Sequence, residues 1–180
     1  SVGEVCELLE PIYRQTNEWE KLNAVYEAQV GIAKDPADKL AAYSRVAELQ
    51  EEKLVDTASA LHVYMRALKE FPLEEKVGEE SHRLAPLVDN GWEILANGYA
   101  DVLGVHEDKD TQAAIGKRLA KVFEDELGDI QKAEETYKYV LSVSELESES
   151  LNNLDRIYVS LESWSELAAI LEQRIKATED

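Results

Sequence analysis

Residues 128–141 read Gly-Asp-Ile-Gln-Lys-Ala-Glu-Glu-Thr-Tyr-Lys-Tyr-Val-Leu, and four other stretches can be laid over them residue for residue. The overlays begin at Trp19, Thr57, Trp92 and Trp164, each aligned with Ile130. Three residues on stand Leu22, Ala60, Leu95, Ala133 and Leu167; seven on stand Tyr26, Tyr64, Tyr99, Tyr137 and Leu171; eleven on stand Val30, Leu68, Leu103, Leu141 and Ile175. Offsets of 0, 3, 7 and 11 lie on one side of an α-helix. Each stretch is therefore predicted to be an amphipathic helix with one large anchor residue.

The spacing of these helices predicts a repeat protein. The aligned positions recur roughly every 34 to 38 residues, and a period of this size is typical of an α-solenoid built from helix pairs. A globular domain with one core would not show such a period. We expect ten helices, no strand, and one array of five units at about residues 1–35, 36–73, 74–108, 109–146 and 147–180.

The expected helix ends follow from capping residues and prolines. The first helix is expected over about Val2 to Arg14, with Pro11 producing a kink or a later start. It carries apolar side chains at Leu8, Leu9, Ile12 and Tyr13. Asp38 and Asp56 are expected to cap the third and fourth helices. Asn90-Gly91 suits a left-handed helix end, and Gly128-Asp129 is expected to turn into the reference helix.

A second period covers two units. The first, third and fifth units open their second helix with Trp19, Trp92 and Trp164, whereas the second and fourth units have Thr57 and Ile130 at the same place. The second and fourth units also carry one extra residue before the turn. The structural module is therefore predicted to be a pair of repeats.

Composition limits the partners and the compartment. The net charge of −19 and the pI near 4.5 describe a surface that repels phosphate backbones, so nucleic acid is not expected as a direct partner. No apolar run approaches the roughly 18 residues that a membrane span needs. The one cysteine, Cys6, cannot form an internal disulfide, which fits a reducing compartment such as the cytoplasm.

The reference stretch resembles the second helix of a tetratricopeptide repeat (TPR), with its Gly-Asp turn and its small and aromatic residues at Ala133 and Tyr137. Ala60, Tyr64 and Pro72 match the corresponding part of the same motif. The resemblance implies a right-handed superhelix that binds proteins or peptides along a concave face formed by the first helices. Tryptophan at the start of the second helix also resembles half-TPR (HAT) repeats. That likeness implies, as an alternative, a scaffold in an RNA-processing assembly.

The TPR pattern also implies candidate peptide-binding residues in the fourth and fifth units, which are Lys117, Lys121, Asn152, Asn153 and Arg156, and Arg118 is a further candidate because it is adjacent to Lys117. Lys117 and Asn153 fit the pattern of TPR proteins that grip a C-terminal carboxylate, whereas Lys121 stands where that pattern has Asn. Their basic side chains form a local positive spot suited to an acidic peptide. In the plainer interpretation, Lys121 and Glu124 form a helical surface pair.

No motif for catalysis, a cofactor or a metal is complete. The stretches that come closest to a zinc-protease helix, a calcium loop and a P-loop each lack required residues. A non-enzymatic scaffold is therefore expected, without cofactor or metal. A purely structural, self-associating array remains a further alternative. Because the last helix is apolar at Leu167, Ile170 and Leu171 with no polar capping helix after it, we expect a segment of a longer array.

Overall fold

The computed structural model describes residues 1–179, with side chains as far as Ile175, and contains ten α-helices and no strand in that range. The helices are α1 (Val2–Thr16), α2 (Trp19–Ile32), α3 (Pro36–Glu52), α4 (Thr57–Glu70), α5 (Glu75–Leu84), α6 (Gly91–Val105), α7 (Lys109–Lys121), α8 (Ile130–Val143), α9 (Ser148–Ser160) and α10 (Trp164–Glu179). A 3₁₀ turn, Ala85–Leu87, follows α5, and a π-helical turn, Val122–Glu126, follows α7. The all-α fold class is confirmed.

The chain forms two compact units, Ser1–Leu95 and Ala96–Asp180. In the first unit, α1 packs on α2, α2 on α3, α3 on α4 and α4 on α5. In the second unit, α7 packs on α8, α8 on α9 and α9 on α10. In each of these pairs, helices that are neighbours in sequence pack on each other, as in helical repeat proteins. We call odd-numbered helices first helices and even-numbered helices second helices; the division into five repeats of the stated bounds stays a prediction.

Each hairpin turn contains one residue in the left-handed region of backbone space. These residues are Asn17 (φ 57°), Val55 (φ 54°), Asn90 (φ 55°), Gly128 (φ 64°) and Glu162 (φ 54°). Each stands two positions before the residue that aligns with Ile130, so the turn repeats with the same spacing as the helices. The left-handed end expected at Asn90 is confirmed.

The extra residue of the second and fourth hairpins lies in a widened last turn of the first helix. In each hairpin one backbone bond spans five residues and the next spans six. The bonds are Leu54 N to Leu49 O (3.1 Å), Asp56 N to Gln50 O (2.8 Å), Leu127 N to Val122 O (3.0 Å) and Asp129 N to Phe123 O (2.7 Å). Each donor and each acceptor residue in the second hairpin has its counterpart two units further along the chain, in the fourth hairpin. This correspondence agrees with the two-unit period.

The caps follow the prediction at one of the two aspartates. The side chain of Asp56 accepts a bond from Ser59 N at 2.9 Å and caps α4, as expected. Asp38 does not cap α3, because Asp35 does so and accepts a bond from Ala37 N at 2.9 Å. Pro36 explains the earlier start, since proline lacks an N–H and its fixed φ suits the first helical position.

The predicted anchor residues lie in the core in the first four aligned stretches, whereas Leu171, the anchor of the fifth, is exposed. Tyr26, Tyr64, Tyr99 and Tyr137 are buried, as are Leu22, Ala60, Leu95 and Ala133. On α1 the apolar side chains of Leu8 and Ile12 are exposed, and the main packing partner of this helix is α2. Pro11 lies inside α1, which begins well before it at Val2.

Candidate functional site

The six candidate residues lie on two first helices of the second compact unit. Lys117, Arg118 and Lys121 belong to α7, and Asn152, Asn153 and Arg156 belong to α9. The positions 117 and 121 are one helical turn apart, so both lysines emerge on the same side of α7. Asn152 is exposed and Asn153 is half-buried.

Both lysines bind carboxylates at the start of α9. Lys117 Nζ lies 3.1 Å from Glu147 Oε1 and 3.2 Å from Glu149 Oε2, and Lys121 forms an ion pair with Glu149. Desolvation opposes the charge of Lys117, but hydrogen bonds to both glutamates outweigh it and raise the pKa of the amine. Glu147 also caps α9 by accepting a bond from Ser150 N at 2.7 Å. One carboxylate thus connects Lys117 to the first turn of α9.

Arg156 is paired with the π-helical turn that follows α7. Its Nη2 lies 2.5 Å from Glu124 Oε1, and the Glu124 side chain is only 7% exposed. The hydroxyl of Tyr137 donates a second bond to Glu124 at 3.2 Å. The plainer interpretation paired Lys121 with Glu124. In the structure, Lys121 instead forms its ion pair with Glu149, and Glu124 forms one with Arg156.

Arg118 and Arg156, which the sequence indicated as candidates, belong to a set of four arginines whose constant spacing from the anchor tyrosines was missed. Each of the four anchor tyrosines is followed by an arginine at the same distance along the chain. The pairs are Tyr26 with Arg45, Tyr64 with Arg83, Tyr99 with Arg118 and Tyr137 with Arg156. Because the spacing is constant, counting from each tyrosine would have found them.

In the structure these arginines lie near their tyrosines. The Arg45 guanidinium lies 5.3 Å from the centre of the Tyr26 ring, within the range of a cation–π contact. Burial raises the pKa of Tyr64, Tyr99 and Tyr137, and in each case the positive charge of the paired arginine opposes the rise. Arg118 and Arg156 therefore act electrostatically on the tyrosine of the preceding second helix, whatever else they bind.

The positive charge of the candidate spot is opposed by neighbouring carboxylates. Lys117, Lys121 and Arg156 are matched by Glu124, Glu147 and Glu149 within the part of the chain that the structure describes. An acidic ligand would have to exchange with these carboxylates.

A second surface, which sequence reasoning also missed, is a pocket of about 380 Å³ in the first compact unit. Its aromatic wall is formed by Trp19 and Tyr26, and its cations are Arg14, Arg45 and Lys53. The Lys53 ammonium lies 5.7 Å from the Trp19 ring centre. The tryptophan at the start of α2 was the available signal for this pocket.

Glu10 supplies a carboxylate at the edge of this pocket. It lies 3.1 Å from Arg14 and 3.8 Å from Arg45, and it accepts a bond from the Tyr26 hydroxyl at 3.2 Å. One carboxylate thus serves two arginines, whereas Arg156 on α9 has Glu124 as its own partner. Glu48 and Glu52 also line the pocket.

Among the described residues there is neither a cluster suited to a metal ion nor a helix suited to a membrane. No group of three or more His, Cys, Asp or Glu side chains has the arrangement of a metal site. None of the described helices combines the length and the apolar character that crossing a membrane requires. Cys6 is buried.

Comparisons with known proteins agree with the helical hairpins. Residues 5–40, which include most of α1, all of α2 and the start of α3, match the family model described as tetratricopeptide repeat. This hairpin is therefore similar to a tetratricopeptide repeat, the type of helical repeat that the reference stretch predicted. The family match falls in the first hairpin, although the motif residues quoted above lie in the second and fourth. Among curated proteins, none matches the sequence.

Two solved structures have repeats of a similar kind. Both are of a Podosopora anserina protein with nearly identical TPR-like repeats, described as a putative kinesin light chain. The first is 19% identical in sequence to this chain and has a TM-score of 0.44, and the match covers 98% of this chain and 96% of that chain. The second, a substituted form of the same protein, has 16% identity and a TM-score of 0.41, with the same coverage.

Proposed function

We propose that this chain is a non-enzymatic scaffold that binds a protein or peptide along the first helices of its hairpins, in the cytoplasm. Repeats of the tetratricopeptide class generally serve as protein-interaction scaffolds. The observation that carries the proposal is the side-by-side placement of Lys117 and Lys121 on α7, both within reach of the first turn of α9. Each lysine keeps part of its surface accessible.

The narrower proposal is that the partner presents carboxylates to Lys117 and Lys121. A bound acidic peptide would replace Glu149, which bridges the two lysines, while Glu147 would stay on Lys117 as the cap of α9. Exchange of one carboxylate for another releases little net energy, so binding is expected to be weak and to weaken further with salt. Asn152, Asn153 and Arg156 would hydrogen-bond the peptide beside this spot.

Fluorescence anisotropy with a labelled oligoglutamate peptide tests the exchange. Glu149→Gln removes the carboxylate that the two lysines share and should tighten binding, whereas Lys117→Glu with Lys121→Glu should weaken it about tenfold or more, which corresponds to about 1.4 kcal/mol. Lys76→Glu, an exposed lysine of α5, is the control for overall charge. Equal affinities in all variants would remove this spot as the acidic-peptide site.

Amide chemical-shift mapping with the same peptide locates the contact. Shifts confined to α7 and α9 support the proposed spot. Shifts around Trp19 and Arg45 would instead place the peptide in the 380 Å³ pocket of the first compact unit, where Arg14 and Arg45 share the carboxylate of Glu10. A parallel titration with labelled RNA covers the HAT alternative, for which steeply salt-dependent RNA binding is the supporting result.

A further inference from the structure

The first hairpin differs from the second and fourth in the charge of one residue near its turn. In the second and fourth hairpins, Glu51 and Glu124 follow the residue whose carbonyl accepts a bond from the amide just after the left-handed turn residue. In the first hairpin that bond runs from Glu18 N to Tyr13 O at 3.0 Å, so the corresponding residue is Arg14. An arginine therefore stands where the second and fourth hairpins have a glutamate.

The hydrogen bonds of the anchor tyrosines agree with this correspondence. The Tyr137 hydroxyl donates a bond to the Glu124 carboxylate at 3.2 Å. In the first hairpin the Tyr26 hydroxyl accepts a bond from Arg14 Nη2 at 2.6 Å. Arg14 and Glu124 thus contact the hydroxyl of the anchor tyrosine in their own hairpins, but they carry opposite charges.

The change from glutamate to arginine leaves two arginines close to one carboxylate. Arg45 is the counterpart of Arg156, which pairs with Glu124 at 2.5 Å. In the first hairpin the carboxylate comes instead from Glu10, which lies 3.1 Å from Arg14 but 3.8 Å from Arg45. The second distance is too long for a hydrogen bond. Arg45 therefore has a poorer carboxylate partner than its counterpart in the fourth hairpin has.

Both arginines line the pocket of about 380 Å³ in the first compact unit, and both keep part of their surface accessible. Trp19, Leu22 and Leu49 supply apolar surface beside them. All the lining residues belong to α1, α2, α3 or the residue that ends α3, so the walls of the pocket lie within this unit. A concave surface that combines apolar side chains with a few convergent polar groups is typical of a ligand site.

The two acidic residues that line the pocket leave these arginines largely unmatched. Glu48 forms an ion pair of 3.7 Å with Lys76 of α5, and Glu52 is exposed. Within the described part of the chain, neither carboxylate is paired with Arg14 or Arg45. The place between the two arginines is therefore suited to one further carboxylate.

We propose that this pocket binds a peptide segment of a partner protein through one glutamate or aspartate side chain and the apolar residue beside it. The carboxylate lies between Arg14 and Arg45, and so supplies the partner that Glu124 provides in the fourth hairpin. The neighbouring apolar side chain packs against Trp19. A carboxylate is the expected group because the chain itself places a carboxylate at the corresponding position of the second and fourth hairpins.

The ligand is expected to carry few acidic residues. The whole chain has a net charge of −19, and Glu48 and Glu52 line the same pocket, so a long acidic run would be repelled. The site lies in a different compact unit from the spot at Lys117 and Lys121 and does not depend on it.

A tripeptide with a single carboxylate tests the site. Acetyl-Leu-Glu-Leu-amide is titrated into the full chain while amide chemical shifts are recorded, and acetyl-Leu-Gln-Leu-amide is the matched control. The glutamate peptide should cause saturable shifts around Trp19 and Tyr26, and the glutamine peptide should bind about tenfold more weakly or worse. Lys117→Glu with Lys121→Glu should leave these shifts unchanged, which separates this site from the acidic-peptide spot.

A double variant fills the place between the arginines from within the chain. Glu10→Ala with Arg14→Glu gives the first hairpin the alanine and the glutamate that the second and fourth hairpins have at these two positions. An internal carboxylate then faces Arg45, so the tripeptide should no longer bind, while urea unfolding should show a chain at least as stable as wild type. Lys21→Gln, an exposed lysine of α2, changes the net charge by the same amount and should bind as wild type.

Several results would overturn the proposal. Equal binding of the two tripeptides would show that the pocket does not recognise the carboxylate, and the absence of saturable shifts would exclude the pocket as a peptide site. Unchanged binding by the double variant would show that the arginines do not hold the carboxylate. Shifts confined to Lys117 and Lys121 would exclude this pocket and support the acidic-peptide spot. If circular dichroism shows that the double variant is unfolded, Arg45→Gln replaces it and should weaken binding about tenfold.

Discussion

Arg156 and Glu124 form an ion pair of 2.5 Å, and the pair repeats two units earlier in the chain as Arg83 and Glu51 at 2.6 Å. In both cases the carboxylate comes from the end of one first helix and the arginine from the next first helix. The pair therefore recurs with the predicted two-unit period and links consecutive hairpins.

Removing Arg156 should destabilise the protein, because the nearly buried carboxylate of Glu124 would keep only the Tyr137 hydroxyl as a partner. We expect Arg156→Ala to lower the free energy of unfolding by about 1–3 kcal/mol. Adding Glu124→Gln should recover part of the loss. Lys76→Ala, from an exposed ion pair, should cost well under about 1 kcal/mol. If Arg156→Ala and Lys76→Ala lower the free energy of unfolding in urea equally, the Arg156–Glu124 pair stabilises the protein no more than an exposed ion pair does.

Tyr137 tests the inward face of the second helices. The side chain is fully buried and its hydroxyl bonds to Glu124. We expect Tyr137→Ala to cost about 3–5 kcal/mol through the cavity it leaves, and Tyr137→Phe to cost about 1 kcal/mol through the lost hydrogen bond. Trp164→Ala, which removes an aromatic ring that is 62% exposed, should be much milder. A harmless Tyr137→Ala in thermal unfolding would contradict the assigned core.

Val55 stores backbone strain that a substitution can release. It is a β-branched residue with φ of 54° and a side chain that is 81% exposed. Left-handed backbone costs about 1–2 kcal/mol for such a residue, and glycine avoids most of that cost. Val55→Gly should therefore stabilise the protein by about 1 kcal/mol in urea unfolding. Gly128→Val, the reverse change at the equivalent turn, should destabilise it by a similar amount; two changes of the same sign would exclude strain as the cause.

Gly116 on α7 allows close approach of α8. A Cβ at this position would lie 2.6 Å from Val140 Cγ2, and valine has little rotational freedom in a helix. Gly116→Ala should lower the free energy of unfolding by about 1–2 kcal/mol, although alanine is the better helix former by about 1 kcal/mol. Gly31→Ala on α2, where a Cβ would meet nothing within 4 Å, should instead stabilise. Adding Val140→Ala to Gly116→Ala removes the clash and so measures it.

The pair of Arg83 and Glu51 makes part of the stability depend on pH. Hydrogen bonds from Arg83 lower the pKa of Glu51 from its ordinary value of 4.5. Such a carboxylate contributes stability above its ordinary pKa and loses the contribution as the pH falls through the lower folded value. The difference in melting temperature between wild type and Glu51→Gln should be full near neutral pH and vanish in acid. Glu52→Gln, an exposed carboxylate of the same helix, provides the baseline, and a difference that grows in acid would reverse the assignment.

The hairpins could be predicted because the residue pattern of one helix face recurs five times in the sequence. Tyr137 and its counterparts recur at helical spacing from the same aligned start, and all four tyrosines are buried. The pattern on α1 was equally apolar, yet Leu8 and Ile12 are exposed. Periodicity indicates which side of a helix is apolar but not whether another helix lies against that side.

The candidate site was predicted only in part. A spacing of four residues places Lys117 and Lys121 on one side of α7, and the structure agrees. Their partners Glu147 and Glu149 lie almost one repeat further along the chain. These ion pairs therefore depend on the position of α9 relative to α7, and the spacing of residues within one helix does not predict that position. The π-helical turn had only one visible sign, the extra residue before Gly128.

The left-handed residue in each hairpin has a consequence for changes in chain length. An amino acid inserted before it is absorbed by a wider last turn of the first helix, as the second and fourth hairpins demonstrate. An amino acid inserted just after it would rotate the second helix by about 100° and carry its tyrosine out of the core. Insertions and deletions in descendants of this sequence should therefore accumulate on the upstream side of each turn and be eliminated from the downstream side.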